Sequence, residues 1–163
     1  MSSASASTEN GKAAGPISEA MIRFFTEEAW PFMPIESEPI LRVPFRGEHG
    51  QWMCYAQARE EQQQFVFYSV CPASVPDDKR APMAEFVTRA NYGLIVGNFE
   101  MDYRDGELRY KTSVDVEGDE LSNALLRSLV YANVAMMDQY LPGILAVLYG
   151  GTSPEEAIAQ IEG

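Results

Sequence analysis

The sequence predicts an α+β protein in which a twisted antiparallel sheet of about five strands is flanked by helices, in the order αβββαββαα. Three observations predict this fold. Residues 97–116 (GNFEMDYRDGELRYKTSVDV) have the pattern of a β-hairpin, other segments rich in aromatic and β-branched residues have the length of strands, and further segments repeat apolar residues at helical spacing. At 163 residues and 46% apolar content, the chain fits one domain with a substantial core.

The hairpin has the most specific pattern in the chain. Asp105-Gly106 is typical of a two-residue turn that needs positive φ at both central positions. Such a turn places opposite charges across from one another on one face and apolar residues on the other, and each correct pair contributes about 0.2–1 kcal/mol. The predicted pairs are Arg104 with Glu107, Asp102 with Arg109 and Glu100 with Lys111 on the wet face, and Tyr103 with Leu108, Met101 with Tyr110 and Phe99 with Thr112 on the buried face.

The first half of the chain predicts a helix followed by three strands. The helix opens at residue 18 with Ser18 as its N-cap and stops before Pro31. Residues 31–39 hold three prolines and predict a connection rather than an element. Strands are expected over residues 40–45, 51–59 and 64–71, and the first of these should lie at a sheet edge because Pro44 lacks a ladder donor.

The second half predicts a helix, the hairpin and then a long helix. The helix before the hairpin should start near Arg80 and end at Tyr92, with Gly93 in the left-handed conformation. A long helix is expected over residues 119–141, capped by Asp119 and interrupted by Pro142 and the glycine after it. Ser153 opens a capping box for a short last helix.

The long helix carries two apolar stripes that together span about 200°, roughly twice the arc of a helix with one core contact. One stripe should face the sheet, and the other should face the terminal segments or another protein. The first stripe is Leu121, Leu125, Leu129, Ala132, Met136 and Tyr140, and the second, which we predict as a protein interface, is Leu126, Val130, Val134, Met137 and Leu141.

Charge and hydropathy exclude several classes of partner. A net charge of −12 should repel nucleic acid and anionic membranes. The longest apolar run near the C-terminus, residues 144–149, is far shorter than the roughly 20 residues of a membrane span. Residues 1–15 lack the apolar region of a secretory signal and predict a flexible tail, so residues 16–163 form the single domain and we expect a cytoplasmic protein.

We expect no catalytic residue, metal or cofactor. Cys54 and Cys71 lack metal-site spacing and should be buried, reduced thiols. His49 lies in a glycine-bounded turn without a nucleophile to activate. The acidic residues between 115 and 120 lack the glycine and the distant glutamate of an EF-hand loop, and the chain has no GxGxxG or Walker pattern.

Four polar or amphipathic residues could form a pocket between helix and sheet: Arg89, Asn91, Tyr110 and Asn133. They can hydrogen-bond to a ligand or to one another, and the internal network is favoured because buried polar groups are normally paired within the protein. The aromatic residues of the first sheet half should mostly be core, although some on an exposed sheet face would form an interaction patch. They are Trp30, Trp52, Tyr55, Phe65, Phe67 and Tyr68.

Four segments together resemble the YbjN family of bacterial sensory-transduction regulators: residues 85–93 (EFVTRANYG), 97–100 (GNFE), 108–112 (LRYKT) and 130–133 (VYAN). The resemblance covers most of residues 17–162. It implies a fold similar to type III secretion chaperones, a non-catalytic protein-binding role and a homodimer.

We therefore predict a cytoplasmic, chaperone-like protein that binds a protein partner of unknown identity as a homodimer. Its contact would be the apolar arc of the long helix or the aromatic sheet. A small-molecule-binding regulator, or an enzyme with a pocket at Arg89, Asn91 and Tyr110, is the alternative. A purely structural subunit is the third hypothesis.

Overall fold

The computed structural model describes residues 15–163. The tail expected over residues 1–15 lies, apart from Gly15, outside the described residues. The helices are α1 Pro16–Glu27, α2 Arg80–Asn91, α3 Asn123–Tyr149 and α4 Pro154–Glu162, and the strands are β1 Met33–Pro34, β2 Ile40–Arg46, β3 Gln51–Arg59, β4 Gln64–Val70, β5 Asn98–Met101 and β6 Leu108–Asp115. No helix of the described residues is long and apolar enough to cross a membrane.

The strands form one antiparallel sheet in the order β1-β2-β3-β4-β6-β5, which confirms the predicted α+β fold. The sheet has six strands instead of about five, because two residues of the expected connection over 31–39 pair with β2. Met33 lies opposite Arg42 and Pro34 opposite Leu41. β2 is therefore not the edge strand that Pro44 predicted, because β1 lies beside it. β1 ends before it reaches Pro44, so the missing N–H costs no ladder bond.

Strands β2 to β6 alternate between a side that faces the helices and a side that faces away from them. The helix-facing side carries no charged residue. Its members are Leu41, Val43 and Phe45 on β2, Trp52, Cys54, Ala56 and Ala58 on β3, Phe65, Phe67 and Ser69 on β4, Phe99 and Met101 on β5, and Leu108, Tyr110, Thr112 and Val114 on β6. Most of them are buried and form the core with the helices.

The hairpin forms, but its register differs from the prediction by two residues. Phe99 lies opposite Tyr110 and Glu100 opposite Arg109. The turn is a four-residue loop, residues 103–106, in which Gly106 adopts a φ of 78° and donates its N–H to the carbonyl of Asp102 at 2.7 Å. A displacement of two residues preserves side-chain parity, so the strand residues stay on their predicted faces.

The predicted ion pairs rearrange accordingly. Lys111 Nζ contacts Glu100 Oε2 at 3.0 Å, as predicted, but Arg109 Nε contacts Glu100 Oε1 at 2.5 Å instead of pairing with Asp102. Arg104 forms an ion pair with Asp102 at 2.9 Å, on its own side of the turn. Glu100 thus serves two cations, one directly opposite and one diagonal to it.

The N-cap of helix α1 lies three residues earlier than predicted, and Ser18 does not occupy it. Gly15 occupies that position. The side chain of Glu60, from the β3–β4 turn, accepts the N–H groups of Ile17 at 3.0 Å and Ser18 at 2.9 Å. A carboxylate from the sheet therefore satisfies the helix N-terminus, which a local capping pattern cannot reveal.

Helix α3 is capped by Ser122 rather than Asp119, and it continues through Pro142 to Tyr149. Pro142 has no N–H to donate to the carbonyl of Asp138, four residues earlier. Nδ1 of His49 lies 3.0 Å from that carbonyl oxygen and takes the vacated place as donor. The predicted interruption is therefore wrong, because a side chain from the β2–β3 turn satisfies the group that proline leaves free.

Both cysteines are free and buried, which confirms the predicted reduced thiols. Cys54 lies among the helix-facing residues, with its sulfur 3.4 Å from the hydroxyl of Ser69. Burial raises the pKa of Cys54 to about 12 and also raises the pKa of Cys71. Neither thiol is an activated nucleophile at neutral pH.

Candidate functional site

The apolar stripe predicted as a protein interface lies inside the protein. Its five residues are each no more than 3% exposed. Helix α3 contacts β4 and β6 and also the other three helices, so the chain itself covers both of its apolar sides. The interface prediction is therefore wrong for all five positions, which are Leu126, Val130, Val134, Met137 and Leu141.

Asn133, one of the four predicted pocket residues, is completely buried on α3 and ties the helix to the sheet. Its Nδ2 donates to the carbonyl oxygens of Phe67 at 2.9 Å and Tyr110 at 3.1 Å, and it lies 3.2 Å from Oγ1 of Thr112. Thr112 in turn donates to the carbonyl of Leu129. This is the internal polar network favoured from the sequence, and its role is to fix α3 against β4 and β6.

The other three predicted pocket residues do not converge with Asn133 on a common cavity. Asn91, at the end of α2, exchanges hydrogen bonds of 2.7 and 2.9 Å with the main chain of Phe99. Tyr110 donates to the carbonyl of Val96 at 2.5 Å, and burial raises its pKa to about 12. Arg89 lies on the exposed side of α2 in an ion pair with Glu85. Asn91 and Tyr110 therefore hold the loop before β5 and its first residues, whereas Arg89 contacts only its own helix.

His49, Glu48 and Asp138 form a cluster whose potential metal-ligating atoms lie within 4.8 Å of one another. Both carboxylate oxygens of Asp138 already accept main-chain N–H groups, from His49 at 2.8 Å and from Glu48 at 3.0 Å. Nδ1 of His49 is engaged by the carbonyl of Asp138. The cluster holds the β2–β3 turn against α3, so we assign it a structural role.

The side of the sheet that faces away from the helices is the largest functional candidate. We call it the outer sheet face and define it by the outward residues of strands β2 to β6. The tyrosines Tyr55 and Tyr68 lie opposite each other at its centre, both half-buried. Its members are Ile40, Arg42, Pro44 and Arg46 on β2, Gln51, Met53, Tyr55, Gln57 and Arg59 on β3, Gln64, Val66, Tyr68 and Val70 on β4, Asn98 and Glu100 on β5, and Arg109, Lys111, Ser113 and Asp115 on β6.

Aromatic and charged groups are in direct contact on this face. The guanidinium of Arg109 lies 4.0 Å from the ring centre of Tyr68, in cation–π geometry. Burial alone would raise the pKa of Glu100, but hydrogen bonds from Lys111 and Arg109 outweigh it and hold the pKa below its ordinary value. A shallow depression of about 360 Å³ lies beside them, lined among others by Arg59, Val66, Tyr68, Lys111 and Ser113.

A second exposed apolar feature, which we call the apolar edge loop, is residues 92–96 between α2 and β5. Tyr92 and Ile95 are 91% and 93% exposed, and the next most exposed large apolar side chain of residues 15–163 is Tyr149 at 75%. The loop leads into β5, the last strand of the sheet, whose outer edge has no partner strand among residues 15–163. Gly97 closes the loop at a φ of 82°, and a Cβ there would lie 2.6 Å from the carbonyl of Lys111.

The sequence indicated an aromatic sheet without dividing its members between faces. Trp52, Phe65 and Phe67 prove to be buried on the helix-facing side, whereas Tyr55 and Tyr68 lie on the outer sheet face. The alternation of residues along each strand determines this division, because even-numbered β3 residues and odd-numbered β4 residues point to the helices. The sequence of the apolar edge loop has no periodic pattern of apolar residues, so its exposure could not be predicted in the same way.

Comparisons with known proteins agree with this architecture. The YbjN family, described as "Putative bacterial sensory transduction regulator", matches residues 18–146. Curated proteins give no match. Among solved structures, YbjN from E. coli aligns with a TM-score of 0.56 at 11% identity, covering 74% of this chain and 84% of that one.

Two chaperone structures align as well. The HopA1–SchA chaperone–effector complex gives a TM-score of 0.51 at 11% identity, with 73% of this chain and 88% of that chain covered. The Yersinia pestis type III secretion chaperone SycH, in complex with a fragment of YscM2, gives 0.46 at 11% identity, with 72% and 92% covered. The likeness to the HopA1–SchA complex concerns the fold, and it confirms the expected similarity to chaperones.

Proposed function

The chain belongs to the YbjN family, and on that premise we propose that it is a chaperone-like, protein-binding regulatory module of the cytoplasm that holds a partner on the outer sheet face without catalysing a reaction. The chaperone of the HopA1–SchA complex shares this fold and is bound to an effector protein. That neighbour supports the proposal by showing the fold in a binding role, while the residues that would make contact here belong to this chain alone.

One observation carries the proposal: the described helices pack on one side of the sheet, and the other side presents two tyrosines with apolar neighbours. Tyr55 and Tyr68 are flanked on the same face by Met53, Val66 and Val70. Aromatic residues with apolar neighbours are the usual anchors of protein interfaces. Met53, Tyr55, Tyr68 and Val70 are partly open to solvent, whereas Val66 is 8% exposed. Contiguous apolar surface of this kind is typical of interaction sites.

In-cell photo-crosslinking tests this assignment. A benzophenone amino acid placed at Gln57, beside Tyr55 on the outer sheet face, should trap a protein partner in the native host. The same amino acid at Gln139, exposed on α3, is the matched control because it replaces the same residue type on the opposite side of the protein. Equal crosslinking at both positions, or none at Gln57, would contradict the proposal.

The homodimer is part of the same proposal, with its contact moved from the α3 stripe to the apolar edge loop and β5. An unpaired strand edge beside two almost fully exposed apolar residues is a surface that a second copy can cover. We expect wild-type protein to scatter light as a dimer and Ile95→Asp protein as a monomer. Tyr149→Asp, at an exposed tyrosine at the end of α3, should stay dimeric. A monomeric wild-type protein would contradict this part.

A further inference from the structure

The outer sheet face is positively charged in a strongly acidic protein, and we propose that its partner is an extended acidic segment with apolar residues between its carboxylates. This inference rests on the proposed function, because it names the chemical class of the partner held there. The five basic residues of the face are Arg42, Arg46, Arg59, Arg109 and Lys111, against the two acidic residues Glu100 and Asp115.

The concentration of cations on this face is not explained by ion pairs within the protein. Within residues 15–163, Arg42, Arg46 and Arg59 form no ion pair. The whole chain carries a net charge of −12 with only twelve basic residues, so five of them on one sheet face is a marked segregation. Since an acidic protein repels an acidic partner elsewhere on its surface, such a partner would be directed to this face.

Glu100 does not neutralise the cations near it. Its two oxygens are shared between Arg109 at 2.5 Å and Lys111 at 3.0 Å, so one negative charge faces two positive ones. Arg109 also approaches Glu107, but only at 3.7 Å. The excess charge lies directly beside the ring of Tyr68, which places a carboxylate-binding group next to an apolar contact.

Strand pairing sets the spacing of the recognition groups. Arg42 lies opposite Tyr55, Tyr55 opposite Tyr68, and Tyr68 opposite Lys111, so these four residues form one row across the sheet. Three strand spacings separate the two cations by roughly 14 Å, which is the length of about four residues of extended chain. A segment that crosses the strands can therefore bring an acidic residue to each end of the row and apolar residues onto the tyrosines between them.

A selection from a phage-displayed library of random peptides tests both the class of partner and the existence of the site. Selection uses wild-type protein, and peptides that also bind Tyr55→Ser, Tyr68→Ser protein are removed. We expect the remaining peptides to share acidic residues that flank apolar ones. Peptides that depend on the tyrosines but carry no acidic preference would overturn this inference and leave the proposed function standing. If no peptide depends on the tyrosines, both fail.

Fluorescence anisotropy with a labelled peptide, GGELVLEGG, measures the charge contribution directly. Replacing both glutamates by glutamine should weaken binding by about tenfold or more, and added salt should weaken the acidic peptide only. Arg42→Glu should produce a similar loss, whereas Arg23→Glu, an equal charge change on the exposed side of α1, should change affinity by less than about twofold. Equal binding of the glutamate and glutamine peptides would overturn the inference.

Discussion

The two sides of the same sheet follow different rules. On the helix-facing side, strands β2 to β6 present only uncharged residues, and Phe65, Phe67 and Tyr110 are entirely buried there. On the outer sheet face the same strands present tyrosines, apolar residues and cations, and most of them keep part of their surface open to solvent. The helix-facing side therefore contributes most of the buried apolar core, and the outer sheet face is the side to which we assign recognition.

This difference and the proposed function together predict that stability and binding are separable in this protein. Because successive residues of a strand point to opposite sides, substitutions one position apart should have unlike consequences. A change on the helix-facing side should lower the free energy of unfolding, and a neighbouring change on the outer sheet face should lower affinity.

Phe67→Ala should have the largest effect. The ring is fully buried and packs against Phe25 and Phe65, with centroid distances of 6.2 and 6.5 Å. Its removal leaves a cavity, and the expected loss in the free energy of unfolding is about 3–5 kcal/mol. Urea denaturation followed by circular dichroism measures this loss. A loss smaller than that of the Tyr55→Ser, Tyr68→Ser protein would contradict the assignment of stability to the helix-facing side.

Asn133→Ala should have an intermediate effect. The buried amide binds the carbonyl oxygens of Phe67 and Tyr110 and contacts Thr112. Its loss leaves buried acceptors with fewer donors, and we expect a cost of about 1–3 kcal/mol. Urea denaturation again measures the change. Asn91→Ala, which removes hydrogen bonds to β5 at a less buried position, is the control and should lower the free energy of unfolding by less. A larger loss for Asn91→Ala would show that Asn133 is not a main contact between α3 and the sheet.

Tyr55→Ser with Tyr68→Ser should change stability little. The two rings form a cross-strand pair on the outer sheet face, and such pairs contribute no more than about 1 kcal/mol. We expect the melting temperature to stay within a few degrees of the wild-type value, with no change in far-ultraviolet circular dichroism. An unfolded or molten product would mean that the outer sheet face is part of the stabilising core.

Glu100→Gln should act mainly on the pH dependence of stability. Because Lys111 and Arg109 lower the pKa of Glu100 in the folded protein, its ionised form stabilises the fold above the ordinary glutamate pKa, and this contribution is lost as pH falls through the lowered value. The contribution of such partly exposed pairs is about 0–1 kcal/mol. The variant should therefore lose less stability than wild type on acidification; parallel pH profiles would contradict this.

Much of the fold could be predicted because strand faces depend on parity. The hairpin shows both the strength and the limit of that reasoning. Glu100, Phe99 and Tyr110 lie on their predicted faces, although the turn has four residues in its loop and the register moves by two. Asp105-Gly106 suits more than one turn, and a shift of two residues changes neighbours without exchanging faces.

The site was harder to predict because it depends on contacts between distant segments. The apolar arc of α3 indicated a partner, but other helices and the sheet cover it within the chain. Pro142 indicated a break, but His49 supplies a donor to the carbonyl of Asp138. In both cases the contacts come from residues far apart in sequence: they cover the apolar arc in the first case and bind the free carbonyl in the second. A local sequence pattern cannot predict such contacts.

The most direct test of the central claim is partner capture by the Tyr55→Ser, Tyr68→Ser protein carrying the crosslinking amino acid at Gln57. Melting temperature and crosslinking yield are measured on the same preparation. We predict a melting temperature close to wild type together with loss of the crosslinked partner. A folded variant that captures the partner as efficiently as wild type would contradict the assignment of recognition to the outer sheet face.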